Sequence, residues 1–261
     1  MNNTVKLLAC TSLLSVISLP LAADEITPPS GAEQPLVLGA AAIYRDKTYA
    51  GYDDDEKWQF APLVLWENER FFFRGTTFGW KAWGNDAWEL AVIGQGRGDG
   101  YDSDDADILE GMDDRDMTLD AGASLAWKHQ GWDVKATWVH DVAGKHEGWE
   151  ARGEFGYTHI SESGHWVIRP SAGLIYQSDD LVDYYYGVED DEAILDVRDA
   201  YAADSELIYR FQTAVAWNPG GSNWQLLFGG RFDLQGDEFD NSPITDDEKF
   251  WMGFLGMGYR F

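Results

Sequence analysis

From about residue 35 to Phe261 the chain alternates apolar with small or charged side chains, and after its first 23 residues it holds no uncharged apolar run near the ~20 residues a membrane helix needs. Period two is the repeat of strands with unlike faces. Met117, Leu119, Ala121, Ala123, Leu125 and Trp127 stand against Thr118, Asp120, Gly122, Ser124 and Lys128. Trp132, Val134, Ala136 and Trp138 oppose Asp133, Lys135, Thr137 and Asp141, and Trp149, Phe155 and Tyr157 oppose Glu150, Arg152, Glu154 and Thr158. Leu207, Tyr209, Phe211, Val215 and Trp217 oppose Glu206, Arg210 and Gln212, while Trp224, Leu226, Phe228, Phe232 and Leu234 oppose Asn223, Gln225, Arg231 and Asp233. The last segment sets Trp251, Leu255, Met257, Tyr259 and Phe261 against Gly256, Gly258 and Arg260, with Phe254 on the wrong face. A chain of this kind crosses a bilayer only as a closed barrel, because an open sheet leaves backbone groups without partners in lipid.

The first residues supply a reason to reach a membrane. Lys6 precedes an uncharged stretch from Leu7 to Leu21 that ends in Leu21-Ala22-Ala23, the pattern of a secretory signal peptide over residues 1–23, cut after Ala23. Cys10 follows Leu7-Leu8-Ala9 as in a lipoprotein box, but cleavage there leaves almost no apolar region. With the signal removed no cysteine remains for a disulfide or a thiolate site. Residues 24–34, with Pro28, Pro29, Ser30 and Gly31, read as a flexible periplasmic lead-in to a barrel over residues 35–261.

Charge separates the two ends of that barrel. The formal charge of -27 repels nucleic-acid phosphates and excludes DNA or RNA as a partner. The connections near 67–70, 84–86, 129–131, 161–164 and 218–221 are short, whereas 46–57, 99–116, 179–204 and 237–249 are long and carry -3, -8, -9 and -5. Short periplasmic turns and long outer loops are the outer-membrane pattern. The 13 Trp, 12 Tyr and 13 Phe beside a mean hydropathy of -0.37 suit aromatic girdles better than one greasy core. Termini on one side require an even strand number. The apolar face switches from Phe71 and Phe73 to Phe78, Trp80 and Ala82, so a short outer turn near residues 75–77 gives twelve strands. The expected fold is all-β, a transmembrane antiparallel up-and-down barrel of about twelve strands, with ten as the alternative.

Several separated pieces together resemble the MipA/OmpV family of Gram-negative outer-membrane proteins, the MltA-interacting proteins and their relatives. They are Tyr44-Arg45 before Tyr49-Ala50-Gly51-Tyr52-Asp53, then Arg70-Phe71-Phe72-Phe73-Arg74-Gly75, Tyr185-Tyr186-Gly187-Val188, Ser242-Pro243-Ile244 and the terminal Gly258-Tyr259-Arg260-Phe261. The resemblance implies a barrel in the cell outer membrane, in contact with lipid and lipopolysaccharide. It also implies a scaffold between a lytic transglycosylase and a murein synthase, or, in other members, a surface antigen or adhesin.

Candidate residues fall into four groups. Trp251, Leu255, Met257, Tyr259 and Phe261 resemble the terminal signal read by the outer-membrane assembly machinery. Glu89, Asp120, Asp133, Asp141, Glu150, Glu154 and Asp233 face inward with Arg97, Lys128, Lys135, Arg152, Arg169, Arg210, Arg231 and Arg260. Their near-balance of sign points to pairing across a narrow lumen, since unpaired buried charge is costly, and a solute path is the competing reading. His140-Asp141 and His146-Glu147 lie near an outer turn, yet no Gly-x-Ser-x-Gly nucleophile motif accompanies them, so no catalytic residue and no enzyme is expected. No cofactor is expected either. Asp102-Ser103-Asp104-Asp105-Ala106-Asp107 could offer Ca²⁺ several oxygens, but an EF-hand would need Gly at Asp107 and Glu at Asp113, and a solvated acidic loop is the competing reading. Three functions stay open: a murein-enzyme scaffold, a pore or substrate-selective channel, and a surface adhesin.

Overall fold

The structure, a computed structural model, describes residues 34–46, 48–51, 57–246 and 249–261. The signal sequence, its cleavage site, Cys10 and residues 24–33 of the lead-in lie outside the described residues, and Gln34 already belongs to the first strand.

Twelve antiparallel strands close into a barrel. They are β1 (Gln34–Arg45), β2 (Trp58–Glu67), β3 (Phe71–Arg74), β4 (Thr77–Gly84), β5 (Trp88–Arg97), β6 (Thr118–His129), β7 (Trp132–Asp141), β8 (Trp149–Tyr157, continued as His159–Ile160), β9 (Trp166–Gln177), β10 (Glu206–Trp217), β11 (Trp224–Leu234) and β12 (Lys249–Arg260). Each pairs with its neighbours in sequence, and β12 returns to β1 with Gly39 opposite Gly258 and Ile43 opposite Phe254. The β3–β4 turn falls at Gly75, which has φ +65°, and completes the even count read from the switch of apolar face. Among the described residues no helix is long and apolar enough to cross a membrane.

Alternation sorts the side chains. Trp132, Val134 and Trp138 of β7 are exposed on the outer wall, while Thr137, Val139 and Asp141 are buried within. Rings gather toward the strand ends, where Trp166 stacks on Trp217 at 5.1 Å and Phe232 meets Trp251 at 4.3 Å. The periplasmic turns are tight. Gln130 and Gly131 take φ +50° and +87°, the pair of left-handed residues that lets a two-residue turn follow the twist of β6 and β7.

The interior is two-sided. Ala41, Ile43, Ala61, Leu63, Ala214, Ala216, Leu227, Phe250 and Met252 of β1, β2, β10, β11 and β12 form an apolar half of the lumen. Phe254, out of step in the alternation, belongs to this half, and its ring lies where a Cβ on Gly229 would stand, at 2.8 Å. The inward charges are densest from β5 to β9, with further pairs on β2 to β4 and on β10 and β11.

Candidate functional site

Inward charges form a ladder. Near the periplasmic end Glu67 accepts from Arg74 at 2.6 Å and from Lys81, and Lys81 lies 3.5 Å from Glu89. Arg169 reaches Asp133 at 2.5 Å and also donates to Glu154. Farther out Arg97 bonds Asp120 at 2.8 Å, Glu150 at 3.1 Å and Asp99 at 3.2 Å. Arg152 lies 3.0 Å from Glu150 and donates to Gln95, and Arg210 grips Asp233 through two bonds of 2.8 Å, with Arg231 3.0 Å away. Lys128 and Lys135 line a cavity, and Arg260 faces inward on β12. Glu67, Arg74 and Lys81 were absent from the inward set, although Lys81 stands opposite Phe78 and Trp80 in the alternation and could have been found by it.

The outer connections depart most from expectation. Read as long acidic outer loops, they fold together over the outer mouth around one apolar core. Tyr49 comes from the first loop and Tyr101, Ala106, Leu109 and Met112 from the loop after β5. Leu181, Val182, Tyr185, Tyr186, Val188 and Ala203 come from the loop after β9, and Phe239 and Ile244 from the last. Helix α1 (Asp179–Tyr186) presents the i, i+4 pairs Leu181–Tyr185 and Val182–Tyr186 to this core, with Asp179 and Asp180 in its favourable first turn. Tyr49 donates its hydroxyl to the carbonyls of Asp99 at 3.0 Å and Tyr185 at 3.1 Å, and its ring meets Tyr101 at 4.6 Å. Helix α2 (Asp237–Asn241) is capped from the barrel, where Glu206 accepts from the amides of Gly236 and Glu238 at 3.0 and 3.1 Å.

Two arginines fasten this cap. Arg198 is 1% exposed and donates to the carbonyls of Glu192 at 3.1 Å, Glu110 at 3.4 Å and Ile108. Arg115 bonds both oxygens of Glu192 at 3.0 and 2.9 Å and the Tyr184 carbonyl at 2.8 Å. Burial pushes the Glu192 carboxyl up, but the amides of Asp113 and Glu189 and the Arg115 guanidinium together hold it below the usual carboxylate range. Arg115 and Arg198 are the lone cations of two strongly acidic loops. That isolation was the sequence signal for their role.

The histidine and acidic motifs resolve into structure of their own. His146 Nε2 sits 3.1 Å from Asp120, while its Nδ1 accepts the Gly148 amide at 3.0 Å, so the ring is a proton donor to Asp120 with both nitrogens engaged. Asp141 accepts from the Thr118 hydroxyl at 2.7 Å and from the amides of Ala143, His146 and Glu147 at 2.8, 2.9 and 3.1 Å. His140 Nδ1 lies 2.6 Å from the Asp141 carbonyl. Asp120, Asp141 and His146 thus build the loop over residues 142–148. In the exposed turn, Asp102, Asp104 and Asp105 bring carboxylates within 4.8 Å of one another. Burial raises the Asp102 carboxyl, with Asp105, Asp114, Asp104 and Asp116 adding to it, and Asp105 is engaged by the Asp102 amide at 3.0 Å.

The lumen holds a cavity toward each end. One of about 610 Å³ opens among the periplasmic turns, lined by Arg74, Glu89, Lys128, Lys135, Glu154 and Arg169 and rimmed by Asp86, Gln130, Trp132, Tyr157 and His159. The other, about 130 Å³, lies beneath the cap, between Arg45, Thr76, Arg97, Arg231 and Gln235.

The chain matches the family described as MltA-interacting protein MipA over residues 38–261. It belongs to that family. It is 27% identical to YiaT of Escherichia coli (strain K12) over 254 residues, 96% of this chain and 98% of that protein. It is 29% identical over 194 residues to the outer membrane protein OmpV of Vibrio cholerae, 74% of this chain and 70% of that one. Its identity to the MltA-interacting protein of Escherichia coli (strain K12) is 28% over 236 residues, 88% of this chain and 92% of that one. The closed twelve-stranded wall and the match along the whole barrel make this member of the MipA family an outer-membrane protein.

Proposed function

We propose that this MipA-family barrel is a non-enzymatic, non-conducting scaffold that offers its periplasmic end to murein-remodelling enzymes, a lytic transglycosylase first among them. One observation carries the reading: the outer mouth is covered by four loops with their own apolar core, while the large cavity opens among the periplasmic turns. A pore needs a continuous wet path, and here the cap covers the outer mouth and Arg97 of β5 reaches past two strands to Glu150 of β8 beneath it. The periplasmic cavity instead offers charges of both signs, Asp86 and Glu89 with Lys128 and Lys135, to a partner at that end. The name of the Escherichia coli relative, MltA-interacting protein, agrees with a partner of this class.

The test places a photoreactive residue at Gln130 or His159 on the periplasmic rim, or at Leu195 on the cap, in intact cells. Rim sites are expected to capture a lytic transglycosylase or a murein synthase, and the cap site neither. Stable single-channel conductance of the purified barrel in a planar bilayer, or rim sites that capture no murein enzyme, would refute the scaffold.

A further inference from the structure

The wall of the barrel is incomplete on one side. Strand β3 has 4 residues, against the roughly 9–11 a tilted strand needs to cross a bilayer. It pairs with β2 only at Leu65, Trp66 and Glu67, so the outer half of β2 has β1 as a neighbour and none on the other flank among the described residues. The Val64 carbonyl accepts from Gly75 at the top of β3, which puts the backbone edge of Pro62, two residues on, toward the gap. Proline has no amide proton to leave unpaired there. On the far side, the Gly96 amide bonds the Thr76 carbonyl at 3.1 Å, and a side chain on Gly96 would meet nothing nearer than the Thr76 Cβ at 3.9 Å. The notch is therefore floored by the β3–β4 turn and flanked by exposed Trp58 and Phe60 on the lipid side of β2.

Behind the notch lies the 130 Å³ cavity. The lumen-facing Gln95 and Arg97 line it together with Thr76 and the outward-facing Gly96, so the cavity reaches the gap in the wall. Its charge is the reverse of the chain's: five arginines and three carboxylates line it, an excess of two positive charges in a protein of net charge -27. Arg231 turns its Nε to Asp233 at 3.0 Å, and Gln235 Oε1 is buried without a hydrogen-bond partner among the described residues. The cap covers the direct route from above.

From these observations we infer that the protein binds an anionic amphiphile of the outer leaflet sideways, its head group against Arg231 and its alkyl chain passing out through the notch between β2 and β5. A fatty-acid-like carboxylate has the right chemistry: one small anionic head for a cavity with surplus guanidinium, and a tail that stays in lipid. This lateral site is separate from the periplasmic surface and stands or falls apart from the scaffold reading.

The test uses the purified full barrel in amphipol, titrated with 16-doxyl-stearic acid and read by the immobilised fraction in its electron spin resonance spectrum. Saturable immobilisation is expected, with the methyl ester of the same probe binding at least tenfold more weakly. Gly96→Trp, which sets a ring over the notch without touching an ion pair, and Arg231→Gln are each expected to weaken binding at least tenfold. Heat-modifiable migration verifies that each variant has folded. No saturable binding, equal binding of acid and ester, or a folded Gly96→Trp variant that binds like the parent would overturn the proposal. Full displacement of the probe by millimolar acetate would overturn it as well, because the site would then serve a free anion rather than a lipid.

Discussion

Replacing Arg198 with methionine tests whether the cap is a folded unit latched by one buried cation. The guanidinium joins two loops: Ile108 and Glu110 belong to one and Glu192 to the other, and all three receive its protons through backbone carbonyls. Hydrogen bonds from a charged donor contribute about 1.5–3 kcal/mol each and are not additive, so losing this set is expected to cost the cap about 3–4 kcal/mol. Methionine keeps most of the apolar stem, which confines the change to the polar contacts. At 1.4 kcal/mol per tenfold, local opening should rise about 10²–10³-fold. Hydrogen exchange followed by mass spectrometry on peptides covering residues 106–112 and 189–198 reads this directly, and heat-modifiable migration reports the barrel. The expected result is a cap that exchanges at least a hundredfold faster on an intact barrel. Exchange in residues 106–112 within threefold of the parent would refute the latch.

Acid should loosen the same cap, because the Glu192 carboxyl lies below its ordinary value of 4.5; its contribution is complete above that pH and is lost as pH falls through the lower folded value. Cap exchange is thus expected to accelerate below about pH 4 while the barrel still migrates as folded. Burial raises the phenols of Tyr49, Tyr101, Tyr185 and Tyr186, so their stabilisation is complete below the ordinary tyrosine value of 10.0 and declines as pH rises beyond it. Ultraviolet titration should show these phenolates appearing only as cap protection is lost. Asp141→Ala removes the acceptor of the Thr118 hydroxyl and of several amides in residues 143–147, and should expose that loop to thermolysin at a cost of about 2–4 kcal/mol. Gly39→Ala sets a Cβ 2.0 Å from the Met257 carbonyl on the closing seam of β1 and β12, and should lower the folded, heat-modifiable fraction severalfold on refolding from urea.

The parity argument around Phe73 and Phe78 shows what sequence pattern can carry. A switch of apolar face between neighbouring segments reports a reversal of the chain, and the reversal stands at Gly75. The same stretch, residues 70–75, is already too short for the ~9–11 residues a spanning strand needs, and β3 with 4 residues does stop short of the outer rim. Phe254 illustrates a limit. Its inward ring is accommodated because its cross-strand partner on β11 is Gly229, and that pairing belongs to the register of β11 with β12.

Alternation by itself determined the barrel and most of its inward charges, because both are written in neighbouring residues and a strand exposes its two faces by local geometry alone. Which inward charges meet was decided by register and curvature: Arg97 finds Glu150 across 53 positions of sequence, and Arg169 finds Asp133 across 36. The cap was decided wholly in three dimensions. Its tyrosines and leucines lie singly among aspartates in four separate loops, so no window of sequence holds enough apolar surface to signal a core, and the core exists because barrel closure brings those loops over one mouth.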